Sequence, residues 1–373
     1  MNTLLTICIP TYRRDATLRR CIESLVSQID KLGLSRDVNI YVANDASPDD
    51  TAAVLDLYQP LSYFKAVTRE HNLGMNLNIK HMLEEASRQS DYQLIITDDD
   101  YLQPDALGEV VALLRQHEAA GDQIPAIWTP RYSYTEDGTL HCVVCNPFKQ
   151  SRKVRPSAAN AGKYMENGFV LSGLIVRGDR IDYGFWDSYR ENAYFPAIFL
   201  GDLILRGGAQ YWSRNIVRHT VLNECHWERW GKNEVMIEIR LFCDYVNAYA
   251  IIAKRIHSLV GKVTFQFTSF PSVYRAVRGF LKSDKLKIGS ATAIDAIQEL
   301  KARGAVAFGV PLRQLLTMAF AASTSMSMTK LVVLRVLSVL DRRGRHREHY
   351  LKRSDAHIES LQAAPVVFKV IWS

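Results

Sequence analysis

Long hydrophobic runs are missing from this chain of 373 residues. No window reaches the roughly eighteen uninterrupted apolar residues that a membrane-crossing helix needs, so none is expected. The amino-terminal segment MNTLLTICIPTYRR has no basic lead and no sustained apolar stretch, and it does not read as a secretory signal. The expectation is a cytoplasmic protein, at most peripheral on the inner face of the cell membrane. Glycine is absent from TYRRDATLRR, the segment that follows the first apolar run. That removes both the G-x-G-x-x-G fingerprint and a glycine-rich phosphate loop, and with them the dehydrogenase and nucleotidyltransferase readings. The six cysteines, Cys8, Cys21, Cys142, Cys145, Cys225 and Cys243, are too scattered for a disulfide framework and read as reduced thiols. Cys142 and Cys145 beside His141 lack a second ligand pair, so structural zinc is not expected. Internal repeats and low-complexity segments are also lacking.

What is present is an ordinary globular composition, 47% hydrophobic and 23% charged, with a net charge of +7. The opening alternates short apolar runs with helical stripes. Leu4 to Ile9 reads as a buried strand that ends where Pro10 begins a polar loop. Leu18, Cys21, Ile22, Leu25, Val26 and Ile29 recur three or four apart, as on one face of a helix. Val38 to Ala43 reads as a second strand, followed by the turn Asn44 to Asp50 and a helix through Val54, Leu55 and Leu57. A third strand, Tyr63 to Val67, precedes a helix from Leu77 to Ser87 and the strand Tyr92 to Thr97. Such alternation implies right-handed crossovers and a mostly parallel sheet, whose ligands bind beyond the carboxyl ends of its strands. Three polar loops fall at such ends: Pro10 to Arg14, Asn44 to Asp50, and Asp98 to Asp100. Further on, Ala126 to Thr129 reads as a strand and Gly168 to Arg177 as a strand with its turn. Residues 234–260 and 310–340 have helical periodicity.

Asp98, Asp99 and Asp100 directly follow an apolar strand. Neighbouring carboxylates repel one another unless a cation sits among them, and a hard divalent metal with oxygen ligands and substrate phosphates would serve. The plainer reading is a solvated acidic cap ahead of Pro104.

TICIPTYRR, NDASPDD, the HNLG of residues 71–74 and TDDDYLQPDAL, in that order over residues 3–110, resemble the landmarks of family 2 glycosyltransferases. The resemblance implies a GT-A fold: a Rossmann-like, mostly parallel α/β sheet flanked by helices, here with a helical C-terminal extension. It implies a catalytic domain over 1–230, with a nucleotide-sugar half at 1–130 and an acceptor half at 131–230, ahead of a helical region at 231–373. It further implies an inverting transfer from a nucleotide-sugar donor, with uracil the expected base, to a glycan or lipid-linked saccharide of a surface polysaccharide. Pro10, Thr11, Tyr12 and Arg13 would line the nucleotide pocket, Asp45 would bond the base, and Asn72 and Gly74 would lie near the ribose and diphosphate. Asp99 would be the principal ligand of Mn²⁺ or Mg²⁺, with Asp98 and Asp100 supporting ribose and metal shell. A register in which Asp98 and Asp100 form the metal pair stays open, because Thr97 occupies the place of the family's first Asp.

On the acceptor side, SGLIVRGD resembles the strand that precedes the family's general base. The usual Glu-Asp pair is absent, and Glu191 with Asn192 is its nearest counterpart. Glu191 is the first candidate base, Asp187 the second and Asp202 the third. Trp186, Tyr189, Tyr194 and Trp212 would offer an aromatic face for a sugar or simply belong to the core. His219 is expected to complete the metal or diphosphate site, with His226 its rival, and Arg214, Arg218 and Arg229 could face the diphosphate. From 311 to 373 there are ten Lys or Arg against four Asp or Glu, a net +6. The apolar stretch before Arg342 and this basic cluster fit either an anionic membrane surface or a helical lid. The tail interleaves no aromatics with its charges, so nucleic acid is not an expected partner. A protein that binds sugar or nucleotide without catalysis is the competing reading.

Overall fold

The computed structural model describes residues 2–135, 139–145, 148–220 and 234–282. Its first half is a repeated strand-helix unit: β1 (Thr3–Thr11), α1 (Asp15–Leu32), β2 (Val38–Asn44), α2 (Thr51–Asp56), β3 (Phe64–Thr68), α3 (Met75–Ala86) and β4 (Ser90–Ile95). After it come β5 (Tyr101–Leu102), α4 (Ala106–Ala120), β6 (Ala126–Trp128), β7 (Arg131–Tyr134), β8 (Leu140–Cys145), β9 (Arg152–Val154) and α5 (Ala158–Tyr164). Then follow β10 (Leu174–Arg177), α6 (Tyr183–Trp186), α7 (Phe195–Gly207), β11 (Ala209–Tyr211), β12 (Val217–Thr220), α8 (Glu234–Arg255) and α9 (Leu259–Lys282).

An eight-stranded sheet runs in the order β3-β2-β1-β4-β10-β6-β11-β9. The strands β3, β2, β1 and β4 are mutually parallel, and β10 and β9 run against their neighbours. This is the mostly parallel α/β sheet flanked by helices that the sequence led one to expect. Its core gathers Leu5, Ile7 and Ile9 of β1 with Ile40 and Val42 of β2, Leu94 of β4, and the Leu18, Cys21, Ile22, Leu25 and Ile29 stripe of α1. Burial on both faces explains why β1 and β4 read as continuous apolar runs. Helix α1 stops at Gly33, whose φ of 63° is left-handed, and the Leu34 N–H returns to the Ile29 carbonyl at 3.0 Å.

The chain leaves β1 for β2 and β3 on one side and returns to β4 on the other, so the strand order reverses between β1 and β4. A crevice at the carboxyl ends is the geometric consequence. A second, four-stranded sheet, β5-β12-β7-β8, brings β12 alongside the residues that follow β4.

Three features differ from the sequence reading. Pro10 lies inside β1, opposite Ala43, and the strand continues to Thr11. The Leu5 N–H points toward β2, so by alternation the missing N–H of Pro10 faces β4, whose pairing with β1 ends at Cys8 opposite Ile95. Gly168 to Arg177 is a strand only from Leu174, because Met165–Gly168 form a helical turn and Gly173 has a φ of 85°. The segment after Thr129 contains β7, β8 and β9, which the sequence reading did not mark as strands.

The chain groups into two compact units, one of Met1–Cys225 with Arg255–Thr268 and one of His226–Lys254 with Ser269–Ser373. Among the described residues no helix is long and apolar enough to cross a membrane. The 310–340 segment, the basic cluster after it, Cys225, His226 and Arg229 lie outside the described residues.

Candidate active site

The loops at the ends of β1 and β2 are tied to each other. The Asp45 N–H donates to the Thr11 carbonyl at 3.0 Å, and the Arg13 N–H donates to Ser47 Oγ at 3.0 Å. Arg13 and Ala46 hold positive φ values of 59° and 57°, a conformation that costs free energy for residues with a Cβ. Asp45 is buried, and its carboxylate spans the neighbouring loop. Oδ1 accepts the Leu73 N–H at 2.8 Å and Oδ2 the Gly74 N–H at 2.9 Å. The exposed Asn72 adds a side-chain bond to the Gly74 N–H at 2.9 Å. Gly74 has a φ of 81°, which lets the loop turn directly into α3. Pro10 and Thr11 are buried, Tyr12 is half-buried and Arg13 is exposed.

The acidic run follows β4 at the point of strand-order reversal. Asp98 is buried, and its Oδ2 accepts the Tyr12 N–H at 3.4 Å. Burial first, and the Asp99 charge second, push the Asp98 carboxyl up to about 7. Burial and then Asp100 raise Asp99 as well, while Arg14 pulls both carboxyls the other way. Asp100 is different: it is fully buried and enclosed by protein donors. Thr97 Oγ1 donates to its Oδ2 at 3.0 Å and the Thr220 N–H to its Oδ1 at 2.9 Å, and His219 Nδ1 lies 3.0 Å from both oxygens. Burial opposes a charged His219, but the bond to Asp100 and the charges of Asp100 and Asp99 outweigh it and raise the imidazole.

These contacts explain the second sheet. Pairing β5 with β12 puts Tyr101 opposite Arg218 and His219 beside Asp100. Arg20 and Arg218 both lie over the Tyr101 ring, at 4.7 and 5.9 Å, and Arg20 also donates to the Asp99 carbonyl and to Thr220 Oγ1. Ser172 Oγ accepts the Thr97 N–H at 2.9 Å, and the buried Arg131 donates to the Ser172 carbonyl at 2.8 Å. Arg20, Thr220, Ser172 and Arg131 carried no signal in the sequence, because single hydroxyls and arginines far apart in the chain form no motif. Burial pushes the Cys8 and Cys21 thiols well up, so neither supplies a thiolate nucleophile.

The oxygen donors Asp98 and Asp99 suit a hard divalent cation, since burial and a neighbouring carboxylate disfavour the charged form of each and a cation would relieve both. Among the described residues no three His, Cys, Asp or Glu side chains are already gathered as a metal cluster.

Among the candidate bases, Glu191 is 88% exposed, with Arg190 3.5 Å away. Asp187 is exposed and pairs with Lys80 at 2.7 Å. Asn76 of α3, two residues beyond Gly74, donates to the Arg190 carbonyl at 2.6 Å and accepts from the Trp186 indole. The strand-end loop at 71–74 and the 186–191 segment are thereby joined through the start of α3. Asp202 is buried and bonded to Arg206 at 2.7 Å and to Arg255 at 3.1 Å, a structural network that Asp182 completes. Trp186 and Tyr189 are buried in the core, with the Trp186 ring 4.6 Å from that of Phe199. Arg214 is paired bidentately with Glu109.

The family model described as glycosyl transferase family 2 matches residues 6–159. The abequosyltransferase RfbV of Salmonella typhimurium (strain LT2) is 23% identical over 205 residues, which cover 53% of this chain and 60% of that protein. The chain therefore spans less than two thirds of that relative. Among solved structures, S. aureus TarS 1-349 superimposes with a TM-score of 0.59 at 15% identity, over 96% of this chain and 92% of that one. The same protein in complex with UDP gives 0.50 at 13% identity, over 82% and 89%. At these identities the structural likeness establishes the fold.

Proposed function

We propose that the chain transfers a sugar from a nucleoside diphosphate donor to a saccharide in surface polysaccharide synthesis, on the footing that the glycosyl transferase family 2 model matches residues 6–159. One observation carries the proposal. Three loops at the carboxyl ends of β1, β2 and β4, cross-tied by the Asp45 N–H on Thr11 and by Asp98 on Tyr12, converge on two carboxylates that burial and a neighbouring charge shift upward. The relatives supply the context: RfbV is named an abequosyltransferase, and TarS is described in complex with UDP.

Pro10, Thr11, Tyr12 and Arg13 would wall the nucleotide, and the backbone strain at Arg13 and Ala46 would hold that wall open to it. Asp45, with its carboxylate fixed by the Leu73 and Gly74 amides, would hold this loop beside the base or ribose. Asn72 and Gly74 would border the ribose and diphosphate. Asp99 would be the main ligand of Mn²⁺ or Mg²⁺, with Asp98 beside it and Asp100 orienting His219 from its enclosed position. When bound, the metal would neutralise the diphosphate and the charge it gains on leaving.

Glu191 would take the proton from the attacking acceptor hydroxyl as it displaces the diphosphate in line, with inversion. Its exposure suits a group that meets a large saccharide or lipid-linked saccharide arriving from solvent. The Asn76 bond to Arg190 would hold it in register with the donor loop. Asp187, paired with Lys80 at 2.7 Å, is the second candidate. The test is to incubate the protein with a panel of UDP-, GDP-, dTDP- and CDP-sugars and Mn²⁺, and to follow hydrolysis and transfer by mass spectrometry. Turnover of one donor supports the proposal. Nucleotide binding with no turnover of any donor on any saccharide acceptor would favour a binding protein instead.

A further inference from the structure

Beside the acidic run, cations and aromatic rings alternate. Arg20 of α1 lies over the Tyr101 ring at 4.7 Å, and Arg218 of β12 lies 5.9 Å from the same ring. Arg218 also covers the ring of Tyr134 of β7 at 4.8 Å. All of these side chains are half-buried. Stacking on a ring fixes a guanidinium and leaves its N–H edge free to bond an anion. Arg20 uses one terminal nitrogen, Nη2, on the Asp99 carbonyl at 3.4 Å and on Thr220 Oγ1 at 3.2 Å. Arg218 uses Nη1 on the Tyr101 hydroxyl at 3.1 Å. A guanidinium carries more donors than these bonds occupy, so both keep N–H groups in hand.

Neither cation meets a carboxylate among the described residues, although three carboxylates lie alongside. Arg20 takes the backbone oxygen of Asp99 and not its carboxylate. The oxygens of Asp100 are turned to Thr97, His219 and Thr220, and the cation that pulls on Asp98 and Asp99 is Arg14. Arg214, just before β12, shows the contrast, since Glu109 already engages it bidentately. The stack thus gathers two positive charges around one ring without an anionic partner, and an anion from outside would relieve their repulsion. Its place in the fold favours one source for that anion. Arg218 and Tyr134 belong to the second sheet, β5-β12-β7-β8, whereas the loops proposed to wall the nucleotide follow β1 and β2 of the first.

We infer that Arg20, Tyr101 and Arg218 form a subsite for a phosphate or carboxylate carried by the saccharide acceptor. The inference rests on the transferase reading in naming that saccharide the acceptor, but anion binding is measured without donor or metal. The experiment is titration of the full chain with glucose 6-phosphate, glucuronate and glucose in EDTA, followed by saturation-transfer NMR. Wild type should bind at least one charged sugar about tenfold more tightly than glucose, and lose that margin as salt rises. Arg20→Gln combined with Arg218→Gln should bring the charged sugars down to the level of glucose. Arg218→Gln alone leaves the Arg20 bonds in place and should weaken charged-sugar binding about threefold, which keeps the test open if the double variant does not fold. Arg218→Lys, which keeps the charge and loses the fork, should fall between wild type and Arg218→Gln. Equal affinity of wild type for charged and neutral sugars overturns the inference, as does unchanged binding by the folded variants. A parallel titration with UDP, GDP, dTDP and CDP in Mn²⁺ separates the sources of the anion. Nucleotide affinity that falls together with charged-sugar affinity would give the stack to the donor diphosphate and overturn the acceptor assignment. Selective binding of a charged sugar by a chain that turns over no donor would sink the transferase reading and leave the anion subsite standing.

Discussion

Residues 1–130, proposed here as the donor half, and residues 131–220, proposed as the acceptor half, are built differently. The first is a parallel sheet in which β1, β2 and β4 are buried along nearly their whole length, with polar loops at the strand ends that bond to one another. The second uses strands of three or four residues, β8 with six excepted, and relies on buried polar and aromatic contacts: Arg131 on Ser172, Asp202 between Arg206 and Arg255, Trp186 against Phe199. Clustered carboxylates such as Asp98 and Asp99 need a rigid frame that keeps them together against their repulsion. A carboxylate that must meet a large incoming acceptor, as proposed for Glu191, needs exposure more than enclosure. The frame of the one half and the openness of the other are suited to these two tasks.

The largest effect should come from breaking the acceptor half's packing. Trp186→Ala should cost about 3–5 kcal/mol of stability in urea unfolding, because a fully buried indole leaves a cavity. Next, Glu191→Gln should lower transfer by about 10²–10⁴-fold while leaving nucleotide affinity unchanged, as measured by initial rates and calorimetry. Asp187→Asn showing that loss in its place would move the base to Asp187. A smaller effect tests the donor half: Asp45→Asn should weaken nucleotide binding about tenfold, since one of its two amide acceptors becomes a donor. Hydrogen exchange should then show faster loss of protection at Leu73 and Gly74 than elsewhere.

The smallest concerns acid. The Phe185 N–H bond, against the opposing effect of burial and with help from Arg255, holds the Asp182 carboxyl below its usual value. A depressed carboxyl stabilises the fold above its unfolded value, and that contribution is lost as pH falls through the folded one. Wild type should therefore lose more stability than Asp182→Ala when urea titrations move from neutral pH to below about pH 4.

Much of the donor half is legible in the sequence for a physical reason. Buried parallel strands and one-sided helices leave periodic apolar patterns, so Leu18 to Ile29 named the buried face of α1 in advance. The acidic run stands out because three adjacent carboxylates are costly. What the pattern could not reveal is how the three differ. Asp100 is enclosed by His219 and Thr220, more than a hundred residues away, whereas burial and the next carboxylate, Asp99 for Asp98 and Asp100 for Asp99, act on the other two. Pro10 reads as a strand stop, yet it sits in β1 because its N–H side lies beyond the end of the β4 ladder. Strands β7, β9 and β11 are too short to show alternation, and Asn76, which joins the 71–74 loop to Arg190, is one more asparagine until the fold places it.

The most direct test of the central claim, a donor site at the ends of β1, β2 and β4 centred on Asp99, is calorimetric titration with UDP, GDP, dTDP and CDP. It is run with and without Mn²⁺, on wild type and Asp99→Ala. The account predicts metal-dependent binding of one nucleotide by wild type and its loss in the variant. Absence of binding by any nucleotide under either condition would contradict it and leave the acidic run as a cap ahead of α4.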